Sequence, residues 1–327
     1  MVRFESHRNA LALCAALAVL AGCSALGSPS VPRDAQAFGA AASGGRARHA
    51  KSDGELLYAT IGNNTYVYGY PSMKPVQTLK TGWLGFKGGS DSNNGNMCFD
   101  TYGPVYVYAH GGKQPIAKID PFSNADTFDC AFDPTTHDLA ITIMNGEQKP
   151  QVVVYSSLSG NPATYADPNM ADYYYVGYDD NGNLFVDGIA GSGHWLLDEL
   201  PKGASSFVEL TVDGGPPGYD TLRWDGTYMT VRCLKVIYQF TVSGSTATIV
   251  GTTSLKGDSN YSEDTIAGDA LLADHPGKYN GSSPHDARLL GLWHYPKGGN
   301  AYDVVKIPRP SKKDSLGTVL LSVAPSE

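Results

Sequence analysis

The residues of this chain best suited to chemistry are acids, histidines and clustered aromatics rather than a ready-made catalytic motif. Asp126, Asp172, Asp220 and Asp264 each stand just before or at the start of a short apolar run. If those runs are strands around a common channel, four carboxylates face one mouth, and such hard oxygen donors suit Ca²⁺. The other reading is that each aspartate caps its own loop. Asp274-His275 and His285-Asp286 bracket a polar stretch and offer two histidines and two acids to zinc; a solvated Gly-rich loop explains them as well. Tyr173, Tyr174 and Tyr175 with Trp224 offer either a sugar-stacking platform or aromatic packing between elements. His110 and His294 lie in turns and receive no role. The sequence holds no Gly-x-Ser-x-Gly elbow, His-Glu-x-x-His, P-loop, dinucleotide fingerprint or haem-attachment motif.

Positioning these groups falls to a repeat. A strand, a turn rich in Gly, Pro, Ser or Lys and a second strand recur at anchors Tyr68, Tyr108, Tyr155, Asp198, Tyr238 and Trp293, spaced 40, 47, 43, 40 and 55 residues apart. That spacing suits four-stranded propeller blades. The other half of each unit is a strand, an aspartate turn and a strand, as in Cys130-Ala131-Phe132-Asp133 before Leu139–Ile143. Asp179, Asp225 and Asp269 hold the corresponding places. Aspartate bonds its own turn backbone and so sets the strand register. The first unit lacks its opening strand, and the last apolar run, 318–323, has no unit of its own. The expected fold is therefore an all-β six-bladed propeller closed by the C-terminal strand. In the second unit only 8 residues separate Asp100 from Tyr108, against 13 to 24 elsewhere. That blade is expected to be three-stranded, unless Trp83 to Asn96 rearranges to fill the gap.

With its Tyr108-Ala109-His110-Gly111-Gly112 and Leu200-Pro201-Lys202-Gly203 turns, the chain resembles six-bladed β-propellers of the NHL-repeat and gluconolactonase-like group, and lipid-anchored bacterial propellers among them. The resemblance implies either a binding or interaction module or a lactonase-like hydrolase with a divalent metal on its axis. A quinone-dependent sugar oxidoreductase has only the fold in its favour.

The thiols point elsewhere. Arg3 and Arg8 precede an apolar run, Ala10 to Leu20, which ends in Leu20-Ala21-Gly22-Cys23. The run is too short for a membrane span of roughly 20 residues and reads as an export signal. Its end resembles the bacterial lipobox, which implies that Cys23 is acylated and becomes the N-terminus, a membrane anchor. Ser24 in place of Asp then implies the outer membrane in a double-membrane bacterium. The expected organisation is a signal peptide over 1–22, an Ala/Gly/Ser/Pro tether over 23–53 and a propeller over 54–327. A tether of that length reaches on the order of 30 Å. Cys98, Cys130 and Cys233 are odd in number and form no Cys-x-x-Cys pair, so they are expected to be small buried hydrophobes rather than a disulfide framework or zinc knuckle. A net charge of −8 leaves no basic stripe for a phosphate backbone and argues against nucleic acid. The expected partners are the membrane, through Cys23, and a protein, glycan or small ligand.

Overall fold

A computed structural model describes residues 54–80, 87–90, 94–122, 125–144, 149–214, 218, 221–257, 264–275, 289–308 and 316–322. Its β-sheets form the six blades of a propeller. From the axis outward, blade 1 is Leu316–Ser322, Glu55–Ile61, Asn64–Tyr70 and Lys74–Lys80. Blade 2 is Gly88–Ser90, Met97–Phe99, Val105–Tyr108 and Pro115–Ile119, and blade 3 is Thr127–Phe132, Leu139–Ile143, Gln151–Tyr155 and Ala163–Tyr165. Blade 4 is Met170–Tyr178, Leu184–Ala190, Trp195–Leu200 and Val208–Glu209. Blade 5 is Leu222–Trp224, Met229–Cys233, Val236–Ser243 and Thr246–Lys256, with Thr211–Asp213 added in parallel outside. Blade 6 is Asp264–Ala267, Ala270–His275, Leu289–His294 and Asp303–Lys306.

The C-terminal strand closes the ring as expected: Leu56 pairs with Ser322 and Tyr58 with Leu320. The aspartate turns also work as expected. Asp133 Oδ1 accepts the Thr135 N–H at 2.7 Å, Asp179 Oδ1 that of Asn183 at 2.8 Å and Asp225 Oδ1 that of Tyr228 at 2.7 Å. Asp225 reaches further, taking the Tyr295 hydroxyl of blade 6 at 2.6 Å.

Three expectations change. Blade 2 is four-stranded, because Gly88–Ser90 supplies the inner strand from within the 83–96 segment. The close approach demands glycine: a Cβ on Gly88 would stand 2.3 Å from the Cys98 carbonyl, and one on Gly89 2.5 Å from the Cys130 carbonyl of blade 3. The six anchors are not in one register. Tyr108 and Tyr155 pair with the first residue of their second strands, whereas Leu200 and Phe240, not Asp198 and Tyr238, hold that place in blades 4 and 5. Finally, Cys98 and Cys130 form a disulfide that ties the second strand of blade 2 to the inner strand of blade 3. Cys233 is buried.

Burial follows the ring. Six clusters of buried apolar side chains each straddle a different pair of neighbouring blades. One unites Leu57, Ile61 and Tyr70 of blade 1 with Leu272, Leu290 and Leu292 of blade 6. Removing such surface from water is worth roughly 25 cal/mol per Å², so each blade is stabilised mainly by its neighbours.

Candidate axial site

Register places one position of each inner strand at the same level around the axis. In blade 2 the Lys87 carbonyl accepts the Asp100 N–H at 3.1 Å, and in blade 5 the Thr221 carbonyl accepts that of Arg232 at 2.9 Å. In blade 3 the Asp129 N–H donates to Thr142 Oγ1 at 2.9 Å, and in blade 4 the Tyr175 N–H donates to Asp187 Oδ1 at 2.9 Å. Asp264 pairs with Ala273 in blade 6. Lys87, Asp129, Tyr175, Thr221 and Asp264 thus form an inner ring, backed by Asp100, Thr142, Asp187 and Arg232 on the second strands. In blades 3 and 4 the ring residue sits in a β-bulge, where the ladder slips between Thr127 and Cys130 and between Tyr173 and Val176. There a side-chain oxygen of Thr142 or Asp187 takes the place of the missing ladder carbonyl.

The ring is cross-linked. The Val176 N–H donates to Asp129 Oδ2 at 3.2 Å, and Thr142 Oγ1 donates to the Tyr174 carbonyl at 2.7 Å, both between blades 3 and 4. The Thr127 hydroxyl donates to Asp100, and the Thr221 hydroxyl to Asp264, whose carboxylate lies 3.8 Å from Arg232 Nη1. Two cations span larger gaps. Arg223 of blade 5 donates through Nη2 to the Gly88 carbonyl of blade 2 at 3.1 Å, while its Nη1 lies 3.4 Å from Asp129 Oδ2 of blade 3. Blades 2 and 5 are opposite in a six-membered ring, so this side chain crosses the axis. The Lys87 ammonium donates to the Tyr175 hydroxyl of blade 4 and lies 4.3 Å from the Phe128 ring centroid and 3.7 Å from that of Tyr175.

Burial dominates the electrostatics. The Asp187 carboxyl is pushed up to about 8 by desolvation, against the pull of the Tyr175 N–H, the Trp195 indole and Lys87. Asp100 rises to about 6 for the same reason, although Thr127 and neighbouring backbone N–H groups favour its charged form. Asp129 is likewise raised by burial and opposed by Arg223 and Lys87. These groups make the axis a fixed polar network with matched charges. Another buried acid, Asp198, lies away from it in blade 4. Its carboxyl oxygens have no hydrogen-bond partner among the described residues, and burial, with Asp167 and Glu209 nearby, pushes it to about 8.

The acids singled out in the sequence lie apart from this network, with one exception. Asp126 is exposed and Asp172 half-buried. Asp264 is buried and held by Thr221 and Arg232. Asp220 lies outside the described residues, as do Cys23, His285 and Asp286. Among the described residues no group of three or more His, Cys, Asp or Glu is placed to hold a metal ion. With Lys87 and Arg223 across the axis, the described residues do not fit a calcium ion there. Asp274 and His275 end the second strand of blade 6, paired with Leu290 and Leu289. Tyr173, Tyr174 and Tyr175 are buried between blades and Trp224 packs against the same core. His110 donates to the Gly54 carbonyl, and His294 stacks on Tyr302 with ring centroids 4.4 Å apart.

Lys87, Asp129, Asp187 and Arg223 were not found in the sequence, yet a signal existed. Asp129, Tyr175 and Thr221 each stand four residues before a turn aspartate, Asp133, Asp179 and Asp225, which are 46 residues apart. Counting back from the turns locates the ring; counting forward from the loops placed it one to three residues early.

No family model and no curated protein matches the sequence. Solved structures do match its fold. A chain of the nidogen/laminin complex is 10% identical, with a TM-score of 0.65 over 84% of this chain and 100% of that one. A protein of unknown function from Bacteroides caccae is 11% identical, TM-score 0.56, over 82% and 98%. The β-propeller domain of Cps50 (Swd1) from Myceliophteria thermophila is 12% identical, TM-score 0.52, over 79% and 85%. At such identities the likeness is one of fold.

Proposed function

We propose that this chain is a lipid-anchored protein of the bacterial cell envelope, tied to the membrane through Cys23, whose propeller acts as a non-catalytic binding module. The observation that carries the binding half is the axial network. Its charged and aromatic groups converge on the axis from five blades, and among them Arg223 retains 15% side-chain exposure. Such convergence of polar groups on an otherwise apolar ring suits recognition of a small polar ligand, a glycan or a protein loop. The fold is compatible with this role and is shared by a chain from a protein–protein complex.

The anchor half rests on the Arg3 to Cys23 leader and gains support from the Cys98–Cys130 disulfide, since such bonds persist in oxidising compartments. In a bacterial host the chain is expected to fractionate with membranes and to take label from a fatty-acid precursor; Cys23→Ser is expected to lose both. A Cys23→Ser chain that keeps the label defeats the anchor. For the module, a panel of soluble glycans and envelope-protein fragments is expected to yield ligands that raise the unfolding temperature. Stoichiometric metal in the purified protein, with lactone hydrolysis abolished by chelation, would replace this reading by the hydrolase the resemblance implies.

A further inference from the structure

The outer edges of blades 1 and 2 carry a surface that the axial site does not use. Lys74, Val76 and Lys80 on the outer strand of blade 1 are exposed, as are Ile116 and Lys118 on that of blade 2 and Lys113 in the turn before it. Val76, at 55%, and Ile116, at 54%, are the most exposed large hydrophobic residues among those described. The two edges adjoin: Gln77 Nε2 of blade 1 donates to the Gly111 carbonyl of blade 2 at 3.2 Å, and the Gly111 N–H donates to the Tyr58 hydroxyl at 2.9 Å. Neither strand contains an acid, and Asp120, just past the second, faces Tyr155 of blade 3. Four ammonium groups and two aliphatic side chains therefore share one rim of a chain whose net charge is −8.

The same rim receives the N-terminal segment. Gly54 accepts a hydrogen bond from His110, in the turn that also holds Lys113. Glu55 pairs with Tyr70, directly before the turn that leads to Lys74. The 53 residues that precede Gly54 thus join the propeller between the turn that leads to Lys74 and the turn that holds Lys113.

We propose that this rim rests on an anionic lipid surface, the lysines meeting headgroup phosphates and Val76 and Ile116 entering the interface. The proposal builds on the lipid-anchor reading, which would bring this edge to the membrane first. A lysine near an anionic leaflet strengthens association about five-fold, so four acting together add on the order of 100-fold or more. Seated on blades 1 and 2, the propeller keeps its axial mouth clear of the lipid.

The test uses the full chain carrying Cys23→Ser, with and without Lys74→Glu, Lys80→Glu, Lys113→Glu and Lys118→Glu, in flotation with phosphatidylcholine vesicles and with vesicles containing phosphatidylglycerol. Residues 1–53 are common to both forms, so their contribution cancels. On anionic vesicles the lysine form is expected to bind at least 100-fold more tightly at low salt, with the gap closing at high salt. On neutral vesicles the two are expected to bind alike. A Lys→Gln set, which avoids new repulsion, should lose less but in the same direction. Equal binding of all forms to anionic vesicles overturns the proposal. So does self-association of the lysine form that the substitutions abolish without a vesicle effect, which would assign the rim to a second copy. Fatty-acid labelling of unsubstituted Cys23 reports separately on the anchor, so either idea can fail alone.

Discussion

Asp187 shows what it costs to hold an acid at the axis. Its side chain is inaccessible to water and accepts hydrogen bonds from the Tyr175 N–H and from Trp195 Nε1, at 2.9 and 3.1 Å. Two neutral donors do not replace the lost hydration, and nearby Asp129 adds repulsion, so the neutral form is favoured up to about pH 8. The sign follows from linkage. Between the unfolded value near 4 and the folded value near 8 the native state binds the extra proton, so this group's contribution to stability is present at low pH and lost as pH rises through that window. Asp187→Asn keeps an acceptor for Tyr175 and removes the charge. Its urea midpoint is expected to fall less than that of the parent between pH 5 and pH 8. A parallel fall in both would show that Asp187 titrates as an ordinary carboxylate. Arg223 answers to different physics: its charge is compensated by Asp129 and the Gly88 carbonyl, and losing it would leave Asp129 buried with less to balance it.

At the scale of the element, the inner strand of blade 1 matters most. Leu316–Ser322 pairs along Glu55–Ile61, and its Val319 and Leu320 are buried in the clusters toward blades 6 and 2 respectively. Leu320→Ala is expected to destabilise the fold by about 2–5 kcal/mol, measured by chemical denaturation; a loss under about 1 kcal/mol would mean that the strand is only loosely seated. This strand was legible in the sequence because the first unit lacked a partner and the last run lacked a unit. The aspartate turns were legible because Asp133, Asp179 and Asp225 perform their bonding within a few residues. The inner strand of blade 2 was not: Gly88–Ser90 has almost no apolar signal, and its fit depends on the backbone of Cys98 in the next strand and on that of Cys130 in another blade. Nor was the phase of the axial ring legible, since the bulges at Asp129 and Tyr175 shift the inner strands against the simple alternation of side chains. The disulfide escaped notice because cysteine spacing says nothing about which strands become neighbours across two blades.

At the scale of the molecule, the apolar clusters fall between blades, so each blade depends on its neighbours and on ring closure. The Cys98–Cys130 bond reinforces one of those interfaces, joining residues 32 apart in sequence. Replacing Cys98 and Cys130 by alanine is expected to cost about 2–4 kcal/mol, and reductant should destabilise the parent by more than the double variant, which keeps the disulfide of Cys233. Equal sensitivity of both to reductant would show that the bond carries no weight.

Because blade 1 joins residues 55–80 to residues 316–322, far apart in sequence, the ring has an order of assembly. A chain synthesised from its N-terminus holds the three outer strands of blade 1 early, with the inner edge of that sheet vacant until residues 316–322 arrive. The interface between blades 1 and 6 cannot seal before then, however complete the middle blades are. Such a vacant edge invites pairing with other strands, so the arrival of residues 316–322 is what ends that vulnerable interval.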